Sequence, residues 1–175
     1  MFVETNRLLL RRFREEDFVS YCAYSLNQPE QDRMMGRCEL DTVDAVRQNF
    51  NWLKDREPRG YVIVLKEENK VIGNLTVYDR TPVAHLDAVR EKVGRSLSFC
   101  LSSQYRRRGL MEEAVRAAAQ KLFEEENADY IHCGCFDFNL PSLALQRKLG
   151  FQFLAKEVIW VEGKAYTGIE NILWK

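Results

Sequence analysis

No stretch of this chain approaches the roughly 20 consecutive apolar residues that a membrane-crossing helix requires. Met1-Phe2-Val3-Glu4-Thr5-Asn6-Arg7 lacks the long apolar segment of a secretory signal. Charge of either sign is not in excess, since 26 Lys plus Arg balance 26 Asp plus Glu. A dedicated nucleic-acid binder carries a basic surplus, so the zero net charge argues against that class. There are only two histidines, and the five cysteines are an odd number scattered among apolar residues. That usage reads as the reduced thiols of a cytoplasmic protein, not as a disulfide framework. Cys133 and Cys135 form a Cys-x-Cys pair without a second pair, so no metal site is expected. Neither Gly-x-Gly-x-x-Gly nor Gly-Lys-Ser/Thr occurs, which removes the common nucleotide-phosphate loops.

What is present is an ordinary globular mix of 175 residues, 46% hydrophobic and 30% charged. That is enough for one core, and with no repeat or linker it reads as a single domain over residues 1–175. Arg7 to Phe13 reads as a first strand. Glu15-Glu16-Asp17 opens a helix carrying Phe18, Cys22 and Leu26 at four-residue spacing. Asn27, Gln28 and Pro29 break it, and a polar stretch runs from Glu30 to Glu39. Asp41 or Thr42 caps a second helix with Val43, Val46, Phe50 and Leu53 on one face, ended by Pro58 to Gly60. Tyr61–Leu65 and Val71–Tyr78, rich in β-branched and aromatic residues, form a hairpin. Arg80 to Arg95 is too long for a tight loop. It reads as a lid or dimer-facing insertion able to form a short helix, or equally as a loose surface loop. Ser96–Ser102 and Tyr130–Asp137 are strands, and Phe153–Val161 with Tyr166–Trp174 make a terminal hairpin around a three-residue loop. Strands and helices mixed without strict alternation predict a mixed sheet covered by helices on both faces.

The most informative segment is Gln104-Tyr105-Arg106-Arg107-Arg108-Gly109-Leu110-Met111. It lies between the alternating strand Leu97–Leu101 and a helix pattern with Leu110, Ala114, Ala118 and Leu122 every four residues. A helix start exposes N–H groups and a partial positive charge. Arginines placed there add repulsion unless an anion joins them, and Gly109 lets a ligand approach the main chain. The segment therefore reads as a pyrophosphate cradle. A solvated basic loop neutralised by Glu112 and Glu113 is the plainer alternative. Further on, Asn139-Leu140-Pro141-Ser142 starts a short helix that ends in Gly150-Phe151. Asn139 suits the cap, Pro141 the first turn and Gly150 the position past the end.

The order of these two motifs resembles the GCN5-related N-acetyltransferase (GNAT) superfamily. Arg106, Gly109 and, imperfectly, Met111 match the family's Arg/Gln-x-x-Gly-x-Gly/Ala phosphate loop. Thr5-Asn6-Arg7-Leu8-Leu9-Leu10-Arg11 and Gly109-Leu110-Met111-Glu112-Glu113-Ala114 look like the ribosomal-protein N-terminal (alanine) acetyltransferase branch. The resemblance runs from about Thr5 to the C-terminus. It implies an α/β (α+β) acyl-CoA acyltransferase fold with a mostly antiparallel sheet of about seven strands. It also implies acetyl-CoA as cosubstrate, a primary amine acceptor and direct attack, with a homodimer common among such proteins. Carried onto this chain, the diphosphate would be held by the N–H groups of Arg107, Arg108, Gly109, Leu110 and Met111, beside Arg106. Met111 would turn its side chain into the core. The pantetheine arm would pair with main-chain groups of Phe99, Cys100 and Leu101, and the Asn139 amide would reach it. Many members carry a Tyr where this chain has Gln146, so Ser142 becomes the group that hydrogen-bonds the departing sulfur. The missing Tyr also admits a non-catalytic acyl-CoA sensor of the same fold. For the general base the residues offer Tyr78, Asp79, His85 and Asp137, or water alone. Trp52, Tyr78 and Trp160 read as core.

Overall fold

The computed structural model describes residues 3–55 and 59–175. In chain order the elements are β1 (Val3–Glu4), β2 (Leu8–Arg12), α1 (Phe18–Ser25), α2 (Pro29–Met35), α3 (Val43–Asp55), β3 (Arg59–Leu65), β4 (Lys70–Tyr78), β5 (Gly94–Leu101), α4 (Leu110–Glu125), β6 (Tyr130–Phe136), α5 (Leu140–Leu149), β7 (Gln152–Val161) and β8 (Lys164–Trp174). Short 3-10 turns at Glu15–Asp17 and Ser103–Tyr105 lead into α1 and the arginine loop. All eight strands join one sheet in the order β1-β2-β3-β4-β5-β6-β8-β7. Every neighbouring pair is antiparallel except β5 with β6.

Alternation along the strands sorts side chains to the two faces. On one face Leu97 and Leu101 of β5 and Ile131 and Cys133 of β6 pack with Leu110, Met111, Ala114, Ala118 and Leu122 of α4. On the other face Val62, Val64 and Cys100 pack with Tyr21 and Tyr24 of α1 and Val46, Phe50 and Leu53 of α3. The four-residue repeat of α4 is thus the stripe that meets the sheet. In α3 the stripe is narrower than the sequence predicts, because Val43 in its first turn stays exposed. Pro58, read as ending α3, lies outside the described residues.

Three further expectations are corrected. They leave intact the mixed, mostly antiparallel sheet, whose eighth strand is the two-residue edge β1, too short to show a period. Residues 29–35 are helical although they carry no apolar repeat. Pro29 occupies the first turn, Gly36 closes the end at φ 64°, and the residues buried are the polar Gln31 and Asp32. Asp32 accepts from Arg37 Nε at 2.7 Å and from the Leu40 amide at 2.9 Å, so a charge pair seats this helix. Residues 80–93 contain consecutive turns and no helix. They are not loose, because Val83 and Val89 are buried against Tyr130 and Ile172. The terminal hairpin turns through two residues and not three, Glu162 at φ 48° and Gly163 at φ 76°, the left-handed pair that a tight hairpin needs, and Lys164 already belongs to β8.

Glu126 clamps the end of α4 to the sheet. It accepts from Arg59 Nη1 at 2.7 Å and Nη2 at 2.9 Å and from Arg95 Nε at 3.1 Å, tying β3 to β5. The Arg59 hydrogen bonds hold its carboxyl down at about 2. A carboxyl depressed in the fold contributes stability above its ordinary value of 4.5, and that contribution fades as pH falls toward 2. Glu126→Gln should therefore lower stability at neutral pH and flatten its dependence across that acid window, as measured by urea unfolding at a series of pH values.

Candidate active site

The arginine loop is shaped by two left-handed residues, Arg107 at φ 64° and Gly109 at φ 72°. Such alternation turns successive N–H groups toward one concavity. Among the described residues, no main-chain N–H from Arg107 to Met111 has a hydrogen-bond partner. The arginine side chains divide the work. Arg106 donates from Nε to the Leu101 carbonyl at 3.1 Å and from Nη2 to Gln31 Oε1 at 3.1 Å, so it fastens the loop to β5 and α2. Arg107 and Arg108 are exposed. Met111 and Leu110 are buried in the α4-side core, where the Met111 side chain leaves the loop's concavity clear.

The first-turn carboxylates are engaged elsewhere. Glu113 accepts from Thr5 Oγ1 at 2.6 Å, the Arg7 amide at 3.0 Å and Arg7 Nε at 2.6 Å. Glu112 pairs with Lys148 at 2.6 Å and Arg116 at 3.4 Å. These four cation and hydroxyl partners answer the alternative in which Glu112 and Glu113 neutralise the arginine loop. What is left is a positive rim around unpartnered amides at a helix start, a setting that fits an anion.

Behind the loop the sheet splits. β5 and β6 pair only over Gly94–Ser96 with Tyr130–His132. Beyond Ser96, β5 continues along β4 to Leu101, while β6 continues along β8 to Phe136. The gap is a cleft of about 270 Å³ lined by Leu97, Ser98, Phe99, Gly134, Asn139 and Ser142, among others. Of the strand residues singled out from sequence, Phe99 lines it, whereas Cys100 and Leu101 do not. The Cys100 thiol points into the α1–α3 core, where burial pushes it up to about 11. The Leu101 carbonyl is taken by Arg106. Free strand edge for an added extended chain therefore centres on residues 97–99.

Asn139 and Ser142 stand at the start of α5. Asn139 Oδ1 accepts from the Ser142 amide at 3.2 Å, which is the cap, and its Nδ2 reaches the Met34 carbonyl of α2 at 3.4 Å. Ser142 Oγ accepts from Gln146 Nε2 at 2.9 Å, and its hydroxyl also hydrogen-bonds the Cys135 thiol. Gln146, buried, also donates to Cys135 Sγ at 3.4 Å and accepts from Asn171 Nδ2 at 2.7 Å. It is a bracket between α5, β6 and β8 and does not line the cleft. Burial raises the Cys133 and Cys135 thiols, so neither is a ready thiolate.

The structure also brings together residues that the sequence did not single out. Ser96, His132 and Glu170 line the cleft and are all buried. Ser96 Oγ lies 2.8 Å from His132 Nδ1, and His132 Nε2 lies 2.5 Å from Glu170 Oε2. None of the four residues considered as a base is in the cleft. Asp79 pairs with Arg59 at 2.7 Å, His85 sits 3.7 Å from Glu157, Asp137 is exposed, and Tyr78 ends β4. Trp160, read as core, is exposed on β7, and Trp52 is also at the surface. The available signal for Glu170 was the unusual pair of glycines on its face, Gly134 opposite and Gly168 two residues before it.

A sheet split beside an unpartnered helix start is the architecture of an acyl-CoA-dependent transferase. The sequence profile of the acetyltransferase (GNAT) domain matches residues 7–152, and the chain belongs to that family of N-acetyltransferases, whose fold binds acetyl-CoA. An uncharacterized N-acetyltransferase, YnaD, of Bacillus subtilis (strain 168) is 22% identical over 152 residues, 87% of this chain and 83% of that protein. The crystal structure of a GNAT-family acetyltransferase from Bacillus anthracis superposes with a TM-score of 0.85 at 18% identity, covering 99% of this chain and 98% of that one. A putative ribosomal-protein-serine acetyltransferase from Vibrio cholerae superposes at 0.76 with 19% identity, covering 100% and 98%.

The Gln146 bracket yields a test of its own. Gln146→Leu keeps the volume but strands the Asn171 amide and removes the donor to Ser142. It should cost about 2 kcal/mol of stability, the penalty of a buried unpaired polar group, read as a lowered urea midpoint.

Proposed function

We propose that this chain transfers the acetyl group of acetyl-CoA to a primary amine, on a protein N-terminus or a small molecule, by direct attack. The observation that carries the reading is the interrupted β5–β6 pairing, with unpartnered amides at one end and Ser142 at its side. In this reading the N–H groups from Arg107 to Met111 hold the diphosphate, and the exposed Arg107 and Arg108 screen its charge. Residues 97–99 offer the strand edge along which the pantetheine arm lies. A strand N–H there stabilises negative charge developing on the thioester oxygen. Asn139 fixes the start of α5, and the Ser142 hydroxyl donates to the departing sulfur. Both acceptor classes have precedent in proteins of this fold, a putative ribosomal-protein-serine acetyltransferase and a spermidine N-acetyltransferase, both from Vibrio cholerae.

Calorimetry with CoA tests the binding half. Association is expected, and the absence of any heat at millimolar CoA overturns the reading. Thiol release from acetyl-CoA is then followed with peptides carrying N-terminal alanine or serine and with spermidine. Binding without turnover on any of them favours a sensor instead. Asn139→Ala should weaken CoA binding. Ser142→Ala should lower kcat about tenfold, the worth of one hydrogen bond near 1.4 kcal/mol, with little change in KM for acetyl-CoA.

A further inference from the structure

The cleft carries a buried carboxyl group that no Lys or Arg meets among the described residues. Elsewhere in the chain buried carboxylates are matched: Asp17 pairs with Arg11 at 2.7 Å and Asp32 with Arg37 at 2.7 Å. Glu170 is as deeply placed, with 5% of its side chain exposed, yet among the described residues it has no Lys or Arg partner. Its one polar contact is His132 Nε2 on Oε2, and Oε1 carries no hydrogen bond among them. His132 is held at both ring nitrogens, Nδ1 by the Ser96 hydroxyl and Nε2 by Glu170 Oε2, so the ring fixes the carboxyl group in place. Oε1 is left to face the cleft, and a buried carboxyl group that no Lys or Arg meets suits a ligand that brings its own ammonium group.

The surroundings are cut to hold this side chain. Gly134 faces Glu170 across β6, where a Cβ would lie 2.5 Å from Oε2. A Cβ at Gly168 would lie 3.0 Å from Oε1. Two glycines thus leave the carboxylate room over the sheet. The location matters as much. Ser96 and His132 are the last pair before β5 and β6 part. His132 and Glu170 lie on the face shared with the 80–93 turns, since the partner of His132 on β8, Ile172, packs with Val83 and Val89. Ser142 lies on the opposite face with Cys135 and Gln146. A thioester in the gap would therefore meet the carboxylate from one side and the hydroxyl from the other. Among the described residues Cys133 and Cys135 on β6 feel the charge of Glu170, and Glu157 on β7, which pairs in register with Gly168, lies 3.7 Å from His85 in the turns.

We infer that Glu170 is the general base of acetyl transfer, receiving the acceptor's ammonium group at the apex of the sheet split, with His132 and Ser96 as positioning residues. This rests on the acetyl-transfer reading above. Oε1 takes one proton from the ammonium, which frees the nitrogen lone pair. The N–C bond forms to the acetyl carbonyl carbon and the C–S bond breaks, its electron pair leaving on sulfur. The second amine proton is lost as the amide forms and balances the proton that sulfur takes up beside Ser142. Glu170 then returns its proton to water.

The test uses the full chain with the best acceptor among the N-terminal alanine peptide, the N-terminal serine peptide and spermidine. Glu170→Gln is expected to bind CoA as the wild type does and to lose about 100-fold in kcat/KM for the amine at pH 7, in the range of a removed general base. The loss should shrink as pH rises toward the amine's own pKa, roughly 8 for an N-terminus and 10 for spermidine. Glu170→Asp should keep the wild-type shape of the pH profile at a lower rate, and His132→Gln should lose less than Glu170→Gln. A Glu170→Gln rate within threefold of wild type at pH 7 overturns the inference. A loss equal at every pH overturns it too, since that is the mark of a merely structural role. If Glu170→Gln fails to bind CoA, the profiles of Glu170→Asp and His132→Gln decide instead, and an altered shape with aspartate counts against the base. A wild type that binds CoA but acetylates none of the amines overturns acetyl transfer itself, and this inference with it.

Discussion

The shortness of one parallel pairing governs this molecule. β5 and β6 hold each other for three residues and then separate because each has a better partner on its outer side. β4 carries β5 to Leu101, and β8, inserted between β6 and the edge strand β7, carries β6 to Phe136. A parallel pair is slightly weaker per residue than an antiparallel one, so the line of separation falls there. The split leaves strand edge uncovered in the middle of a sheet, where buried main-chain groups ordinarily find partners. An extended amide-bearing chain is the natural occupant.

Everything else is arranged around that gap. α4 starts where β5 ends, and Arg106 ties the connecting loop back to the Leu101 carbonyl. Engaging Glu113 with Thr5 and Arg7 and Glu112 with Lys148 keeps the helix start open to an anion. On one face of the gap α5 presents Ser142, steadied by Gln146. On the other, two glycines and a histidine frame Glu170. A hydroxyl and a carboxyl group thus stand on opposite faces of one sheet, on the two sides of the cleft.

Much of this was legible in the sequence because it is local. The α4 stripe, the Asn139 cap, the Gly150 stop and the alternating strands depend on residues a few positions apart, and they appear as read. The arginine loop was legible for the same reason: helix start, glycine and basic residues are contiguous. Helix α2 was not, since its burial runs through Gln31 and Asp32 and its anchor is a charge pair with Arg37. Nor was the packing of residues 80–93, whose Val83 and Val89 find partners on β6 and β8 far along the chain.

By itself the sequence determined most of the elements, the arginine loop and the capped helix bearing Ser142, because propensity, capping and periodicity act over a few residues. Tertiary structure alone decided which strands part company, and so where a cleft opens. It also decided that Ser96, His132 and Glu170, separated by 36 and 38 positions, meet at its apex. No local rule encodes that meeting. It follows from the register of β5, β6 and β8 in the folded sheet.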